Sequence, residues 1–197
     1  MKNQKLKMKD IITITLLTLI NVIIFMAGSF FYISPITILA MPVLFALLEG
    51  IVFYVISVKV PKKGAFLIYC TLRGVMGFYL PYILLYVLAG VIAELIMAKS
   101  GYGNSKGVCI SYMVTQVLGT IGGTVYPYVI AYDRFFADAE AMAAQGANQN
   151  VMAAANMIQS WRCVILLLAV AVAAFLGSLI GKSILKKHFL EEKGVSK

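Results

Sequence analysis

Apolar residues run almost without interruption through five stretches of the chain. These stretches cover roughly residues 11–33, 35–58, 65–98, 108–132 and 160–181. A helix needs about 20 apolar residues to cross the ~30 Å hydrocarbon core of a bilayer, so each stretch can supply at least one membrane span. The pattern therefore predicts an all-α integral membrane protein.

The third stretch, residues 65–98, is too long for one ordinary span. The segment Gly77-Phe78-Tyr79-Leu80-Pro81 interrupts it near its middle. A proline inside a helix removes a backbone donor and clashes with the preceding turn, so we expect the helix to break here. The break predicts a six-transmembrane-helix bundle in which the third and fourth spans are short.

Lysine placement supports the count of six spans. The lysines fall in four groups, within residues 2–9, 59–63, 99–106 and 182–197, and two predicted spans separate each group from the next. Cytoplasmic loops of membrane proteins carry an excess of Lys and Arg. We therefore expect both termini in the cytoplasm of a prokaryote and the bundle in its plasma membrane. Five or seven spans would place one group on the opposite face.

Composition agrees with a membrane protein and limits the other classes. Of the 197 residues, 61% are hydrophobic and 13% charged, and the mean hydropathy is +0.92. This is the usage of bilayer-embedded chains, and a single membrane domain over residues 1–197 accounts for it. The single histidine, His188, excludes a histidine metal site within the chain. We expect no cofactor and no metal. No catalytic constellation or nucleotide-binding motif indicates an enzyme.

The longest polar segment, residues 133–159, lies between the last two apolar stretches and, with six spans, on the outer face. Its Ala-rich composition favours helix. Asp133 and Asn150 are candidate N-caps of two short helices that separate at Gly146. The segment is either a solvated surface loop or a lid over an outward-facing pocket. Its length and its own apolar residues favour the lid.

Two charged residues lie deep within the apolar stretches. Glu49 precedes Lys59 by ten residues, which places it about 15 Å from the inner end of the second span at ~1.5 Å per residue. Arg73 lies about midway along the third span. Ionisable groups inside a bilayer are costly and by default indicate function. An ion pair between Glu49 and Arg73 that only stabilises the bundle is the alternative.

Aromatic residues concentrate at the predicted outer ends of the spans. A belt at the lipid interface explains such residues, and a ligand pocket with aromatic walls and a few polar anchors explains them equally. On the second interpretation the candidate substrate-binding residues are Arg73, Tyr79, Tyr82, Tyr126, Tyr128, Arg134, Trp161 and Arg162. Arg134 and Arg162 would anchor an anionic or π-rich ligand at the outer mouth, or would pair with acidic residues and hold the lid together.

Small residues indicate where helices pack closely. Ala169, Ala173, Gly177 and Gly181 recur every fourth position in the last span, and Gly119 to Gly123 give the fifth span a similar face. Such stripes let two backbones approach each other. They predict packing between the fifth and sixth spans, or docking of a separate membrane subunit.

The chain as a whole resembles the substrate-binding S components of energy-coupling factor (ECF) transporters, and among them the Trep_Strep or MptD-type group. The resemblance covers nearly the whole chain. It rests on the start LKMKDIITITLLTLINVIIF, the second span PITILAMPVLFALLEGIVFYVISVKVPKKGAF and the ending AAFLGSLIGKSILKKHF.

The resemblance implies a binding subunit that captures a small organic molecule, such as a vitamin or a vitamin precursor, at an outward-facing site. Its partners would be a transmembrane coupling subunit and two cytoplasmic ATPases. S components contact the coupling subunit through small residues spaced by four on the first helix. The matching positions here are Thr15 and Leu19, and Leu19 departs from the pattern. The alternative function is a self-sufficient secondary carrier that uses Glu49 and Arg73 in an ion relay.

Overall fold

The structure is a computed structural model that describes residues 5–137 and 149–192, and helices make up most of this part of the chain. The described α-helices are α1 (Met8–Ala27), α2 (Pro35–Leu48), α3 (Gly50–Lys59), α4 (Ala65–Val75), α5 (Leu80–Ser100), α6 (Ser105–Thr120), α7 (Tyr132–Phe135), α8 (Gln149–Met157) and α9 (Arg162–Glu192). A 3-10 helix, Gly28–Ile33, follows α1, and a π-helix, Ile121–Ile130, continues α6.

Five helical segments among the described residues are long and apolar enough to cross a membrane. They are Met8–Ile33, Pro35–Lys59, Leu80–Ser100, Ser105–Ile130 and Arg162–Lys187. Large apolar side chains are exposed on the outside of the bundle, as expected where lipid replaces water as the solvent. The fold is therefore that of an all-helical integral membrane protein.

The predicted break in the third apolar stretch is present, but it comes early. α4 has 11 residues and ends at Val75, and Phe78 turns the chain with a positive φ of 51°. Pro81 lies in the first turn of α5. Backbone N–H groups in the first turn have no acceptor within the helix, so proline costs no helical hydrogen bond there. Because the turn takes only residues 76–79, α5 has 21 residues. The prediction of a short third helix holds, whereas that of a short fourth helix was wrong.

Polar contacts join the helix ends that carry lysines. Lys62 Nζ lies 2.6 Å from Asp10 Oδ2, which connects the loop before α4 to the start of α1. The hydroxyls of Tyr54 in α3 and Ser105 at the start of α6 lie 2.9 Å apart. The starts of α1, α4 and α6 therefore lie at the same end of the bundle as the end of α3.

Glycines bring α9 against the second apolar segment. A Cβ on Gly177 would lie 2.5 Å from the carbonyl oxygen of Ala46, and a Cβ on Gly50 would lie 2.5 Å from the carbonyl carbon of Gly177. A Cβ on Gly181 would lie 2.8 Å from the carbonyl oxygen of Gly50. The predicted packing of the last span against the fifth is present, since α9 packs against α6. The glycines of the stripe, however, lie against the second span. Ala169, at the other end of the stripe, is exposed.

Candidate ligand-binding site

A cavity of about 170 Å³ lies within the bundle. It is enclosed by α1, α2, α4, α5, α6 and the π-helix that continues α6. Its polar lining includes Arg73, Gln116, Thr120 and Thr124. Its aromatic lining consists of Phe25, Tyr32, Phe45, Tyr79, Tyr82, Tyr86 and Tyr128. Apolar and aromatic walls with a few polar groups are typical of small-molecule sites.

Arg73 and Glu49 form an ion pair that is almost completely buried. Arg73 Nη2 lies 2.7 Å from Glu49 Oε1, and the two side chains are 3% and 0% exposed. The second carboxylate oxygen of Glu49 accepts a hydrogen bond from Gln116 Nε2 at 3.1 Å. The same Gln116 nitrogen donates to the Tyr112 hydroxyl at 3.0 Å, and Tyr112 donates to the Ala46 carbonyl at 2.6 Å. The carboxylate is thus held through both of its oxygens.

Aromatic rings flank the Arg73 guanidinium. Its central carbon lies 5.1 Å from the ring centre of Phe25 and 5.8 Å from that of Tyr86, within the range of cation–π attraction. Arg73 Nε is buried and has no acceptor among the described residues. The guanidinium is therefore fixed in place by its neighbours while its Nε donor stays unsatisfied.

Glycines in the segment Ser105–Ile130 position the tyrosines of the cavity wall. Tyr82 and Tyr86 lie one turn apart on α5, with ring centroids 4.6 Å apart. A Cβ on Gly119 would lie 2.6 Å from the Tyr86 ring, and a Cβ on Gly123 would lie 3.0 Å from the Tyr82 ring. A side chain at position 119 would have to displace the Tyr86 ring, because real Cβ atoms almost never approach another atom so closely, and one at position 123 would press against the Tyr82 ring.

The π-helix shapes the end of the cavity opposite the ion pair. It contains Pro127, which has no N–H to donate, and its last bond runs from Ala131 N to the Tyr126 carbonyl at 2.8 Å. Short π-helical segments often occur at functional sites. Here the segment carries Tyr128 into the cavity wall.

An aromatic cluster lies next to this end of the cavity. Its members, which we call the aromatic cap, are Tyr79, Tyr126, Tyr128, Phe135 and Phe136. The Tyr79 ring lies 6.3 Å from the rings of both Tyr126 and Phe135, and Tyr128 lies 6.1 Å from Phe136. Burial raises the pKa of Tyr79, and Tyr126 adds to the shift. The Tyr79 hydroxyl is therefore a neutral hydrogen-bonding group at physiological pH.

The described parts of the predicted lid are bonded to the cavity wall. Asn150 Nδ2 donates to the Tyr32 carbonyl at 3.1 Å, and Gln159 Nε2 donates to the Tyr128 carbonyl at 2.6 Å. Both tyrosines line the cavity. These described residues thus contact the cavity wall at this end of the bundle, and the role of the segment as a lid stays a prediction.

The predicted caps within this segment were wrong. Asp133 lies inside α7, which Ala131 precedes as the N-cap, and Asn150 lies inside α8, where its side chain bonds to another segment instead. Short polar side chains favour caps, but the carbonyls of the 3-10 helix offered Asn150 another partner. Gly146 lies outside the described residues.

Comparison with known families decides what kind of protein this is. Residues 8–191 match the family described as hypothetical bacterial integral membrane protein (Trep_Strep). The chain belongs to the Trep_Strep family. No curated protein and no solved structure matches it. The match agrees with the apolar helical bundle, and it establishes a bacterial integral membrane protein.

The Trep_Strep structure brings half of the sequence-predicted site residues together. Arg73, Tyr79, Tyr82 and Tyr128 all line the cavity. Tyr126 contacts Tyr79 through the aromatic cap and lies outside the lining. The ion pair of Arg73 with Glu49, expected as the structural alternative, is present together with the cavity.

The other three predicted residues lie away from the cavity. Arg134 and Arg162 are exposed, and Trp161 is 68% exposed. Arg162 Nη1 donates to the Met157 carbonyl at 3.3 Å, at the end of α8. They lie at the same end of the Trep_Strep bundle as the aromatic cap, and none of them belongs to the cavity lining. The outward orientation of this end stays a prediction.

Sequence reasoning missed three important residues of the cavity: Phe25, Tyr86 and Gln116. Tyr86 follows Tyr82 by four residues and therefore shares its helix face, a signal that was available. Gln116 is an uncharged polar residue in an apolar stretch, where an unsatisfied amide is costly. Phe25 gave no signal, because an aromatic residue near a span end fits lipid equally well.

Thr15 and Leu19 of the Trep_Strep chain lie on the outside of α1. Thr15 is exposed and donates its hydroxyl to the Ile11 carbonyl at 3.0 Å. Leu19 is 50% exposed. Both are accessible to lipid or to another membrane helix, and contact with a coupling subunit stays a prediction.

Proposed function

We propose that this Trep_Strep protein is the substrate-binding subunit of an ATP-driven importer of the ECF type. It would capture a small organic molecule in the cavity without catalysing a reaction itself. The observation that carries the proposal is the aromatic-walled cavity around a buried arginine in a bundle of apolar helices. Apolar walls bury most of such a ligand, and a few fixed polar groups select it.

The proposal includes the orientation of the bundle in the plasma membrane. α4 would be the short member of six membrane-embedded helices, and both termini would lie in the cytoplasm. The contact between Lys62 and Asp10 supports this, because it lies at the end of the bundle that collects the lysines. The aromatic cap and α8 would then face outward, which gives the cavity an external entrance.

The proposed partners are a transmembrane coupling subunit and two cytoplasmic ATPases. The exposed face of α1 with Thr15 and Leu19 is the proposed contact. Affinity purification from native membranes tests this assembly: the coupling subunit and the ATPase pair should co-purify, and the purified chain alone should not move solute into liposomes. Transport by the chain alone would contradict the proposal.

The buried ion pair favours a second candidate function, a secondary carrier in which Glu49 and Arg73 relay an ion. The same liposomes separate the two functions. A secondary carrier accumulates solute when an ion gradient is imposed, and Glu49→Gln abolishes the accumulation. A binding subunit shows no accumulation in either form.

The role of the cavity is tested with two matched arginine variants. Native mass spectrometry of the gently purified protein identifies a retained ligand, and its affinity is then measured in Arg73→Lys and Arg162→Lys. Loss of a hydrogen bond to a charged group costs ~1.5–3 kcal/mol, so Arg73→Lys should weaken binding at least about tenfold. Arg162→Lys should not, because Arg162 lies outside the cavity. Equal effects of the two substitutions on ligand affinity would contradict the proposal that the cavity is the binding site.

A further inference from the structure

We infer that the cavity takes an uncharged, planar molecule whose edge offers an acceptor to Arg73 and a donor to Gln116, as a carboxamide or a lactam does. The inference rests on the proposed function, because it concerns the ligand of the same cavity. Three observations carry it: the charge balance of the site, its unused hydrogen-bonding groups and its aromatic walls.

The charge balance disfavours an anionic ligand. Arg73 is the only charged residue in the described lining of the cavity, and Glu49 already neutralises it at 2.7 Å. An anionic ligand would place a second negative charge beside Glu49 with one cation between them. Like charges in one buried site strongly disfavour each other, and an uncompensated buried charge is costly.

A cationic ligand meets the converse difficulty. Both oxygens of the Glu49 carboxylate already accept hydrogen bonds, from Arg73 and from Gln116. A second cation would have to share the carboxylate with the guanidinium at close range. The pair therefore favours a ligand without net charge.

The unused hydrogen-bonding groups define the edge of the ligand. Arg73 lines the cavity, and of its guanidinium nitrogens only Nη2 donates to a described residue, which leaves further N–H groups for an acceptor on the ligand. One of them, on Nε, is buried without an acceptor among the described residues, and a buried polar group left unpaired costs free energy. The amide nitrogen of Gln116 donates to Glu49 and Tyr112. What Gln116 retains is its carbonyl oxygen, an acceptor. A donor and an acceptor side by side on the ligand complement these two residues.

The walls define the shape of the ligand. Tyr82 and Tyr86 present neighbouring rings, and Phe25 lies against the same guanidinium as Tyr86. Aromatic rings prefer other π-systems in offset or edge-to-face arrangements. A flat ring next to the amide-like edge therefore fits the cavity better than a flexible aliphatic chain.

Matched pairs of small molecules test the inference on the purified full-length protein. The probes are benzamide with benzoate, and indole-3-carboxamide with indole-3-carboxylate, titrated calorimetrically at pH 7. Each amide should bind at least about tenfold more tightly than its carboxylate, which corresponds to ~1.4 kcal/mol. Equal or tighter binding of the carboxylates would overturn the inference and leave the proposed function intact.

Failure of all four probes to bind would also overturn the inferred ligand class. Native mass spectrometry then decides the fate of the proposed function: a retained ligand would leave it standing, and an empty cavity would remove it. The two failures are therefore distinguishable.

Changing the charge of the site should reverse the preference. Glu49→Gln leaves the Arg73 charge uncompensated, so this variant should bind benzoate more tightly than benzamide. The same substitution outside the cavity, Glu94→Gln, should keep the preference of the unaltered chain. An unchanged preference in Glu49→Gln would contradict the argument from charge.

A charge-neutral double variant covers the case in which Glu49→Gln does not fold. Glu49→Gln with Arg73→Gln removes both charges together, so no ion is left unpaired in the core. It should still prefer benzamide to benzoate, because a neutral site gives the carboxylate no counterion. Preference for benzoate in this variant would overturn the inference.

Discussion

At the scale of single residues, the buried pair of Glu49 and Arg73 dominates the molecule. Removing one partner of a buried ion pair costs ~3–5 kcal/mol, because the other charge is left without compensation. Replacing both partners is far less costly, since desolvation of the charges disappears along with their attraction. Because Arg73 also lines the cavity, a substitution that breaks the pair should change both the free energy of unfolding and the binding site.

We expect Glu49→Gln and Arg73→Gln each to destabilise the protein by about 3 kcal/mol or more. The double variant should lose clearly less than the sum of the two single losses. Thermal or denaturant unfolding in detergent measures all three, and Asp133→Asn, at an exposed carboxylate, serves as a control outside the pair. Strictly additive losses would show that the two residues do not interact.

Charge in an apolar stretch was the most informative residue-scale signal in the sequence. It identified Glu49 and Arg73, because a buried ion requires a partner. It did not identify a site residue at Arg162. Trp161 lies in the turn before α9 rather than on a shared helix face, and the Arg162 guanidinium donates to the Met157 carbonyl outside the cavity.

At the scale of secondary structure elements, the start of α4 depends on a residue from another helix. Its N-cap residue is Gly64, at a φ of 93°, which has no side chain for capping. Glu94 of α5 accepts hydrogen bonds from Phe66 N at 2.9 Å and Leu67 N at 3.4 Å, and from the Tyr102 hydroxyl at 2.6 Å. A carboxylate at a helix start also interacts favourably with the helix dipole.

This contact predicts a pH dependence of stability. Burial raises the pKa of Tyr102, and the hydrogen bond to Glu94 raises it further. Because an unfolded tyrosine titrates near 10, the stabilisation is complete below about pH 10 and is lost as the pH rises beyond that value. The melting temperature of Tyr102→Phe should therefore fall less between about pH 9 and 11 than that of the unaltered chain. Parallel pH profiles would contradict this.

The glycine contact between α9 and the second apolar segment leaves no room for a larger residue at Gly50. A methyl group on Gly50 would meet the backbone of Gly177 at 2.5 Å, so Gly50→Ala must separate the helices. Overpacking of this kind costs ~1–3 kcal/mol. Ala169→Leu is the matched control on the exposed end of the stripe and should leave the melting temperature unchanged. Equal stability of Gly50→Ala would show that the helices are not in contact.

Elements differed in how far the sequence predicted them. Helix existence followed from the apolar stretches, because a bilayer imposes a minimum length. The packing partner of Gly177 could not be predicted from the sequence. A stripe of small residues indicates that another helix packs closely, but it does not identify that helix. The π-helix around Pro127 was also missed, because one proline predicts a break but not the bonding that replaces it.

At the scale of the whole molecule, the proposed topology is tested by labelling with an impermeant thiol reagent. Single cysteines at the exposed positions Lys63, Lys106 and Gln149 would be introduced after removal of the native cysteines. In intact cells Gln149→Cys should react, whereas Lys63→Cys and Lys106→Cys should react only after lysis. Labelling of Lys106→Cys from outside would refute the arrangement of six membrane-embedded helices.

The overall architecture was more predictable than the site. Hydropathy and lysine spacing are read along the sequence, and together they give the order of the helices directly. The cavity depends on which side chains face one another in three dimensions, and the sequence gives only the face of each helix. Arg73 and Tyr82 therefore could be nominated, whereas Gln116 became visible only where it meets Glu49.

The neutrality of the buried pair has an electrical consequence. Moving one elementary charge through the membrane potential costs or releases ~2.3 kcal/mol per 100 mV. Glu49 and Arg73 lie 2.7 Å apart and would move together, so their opposite charges contribute almost no net work. With an uncharged ligand bound, the site as a whole carries no gating charge. Its occupancy and its exposure to either side of the membrane would then be insensitive to voltage, and a cell could load it equally well whether its membrane is polarised or not.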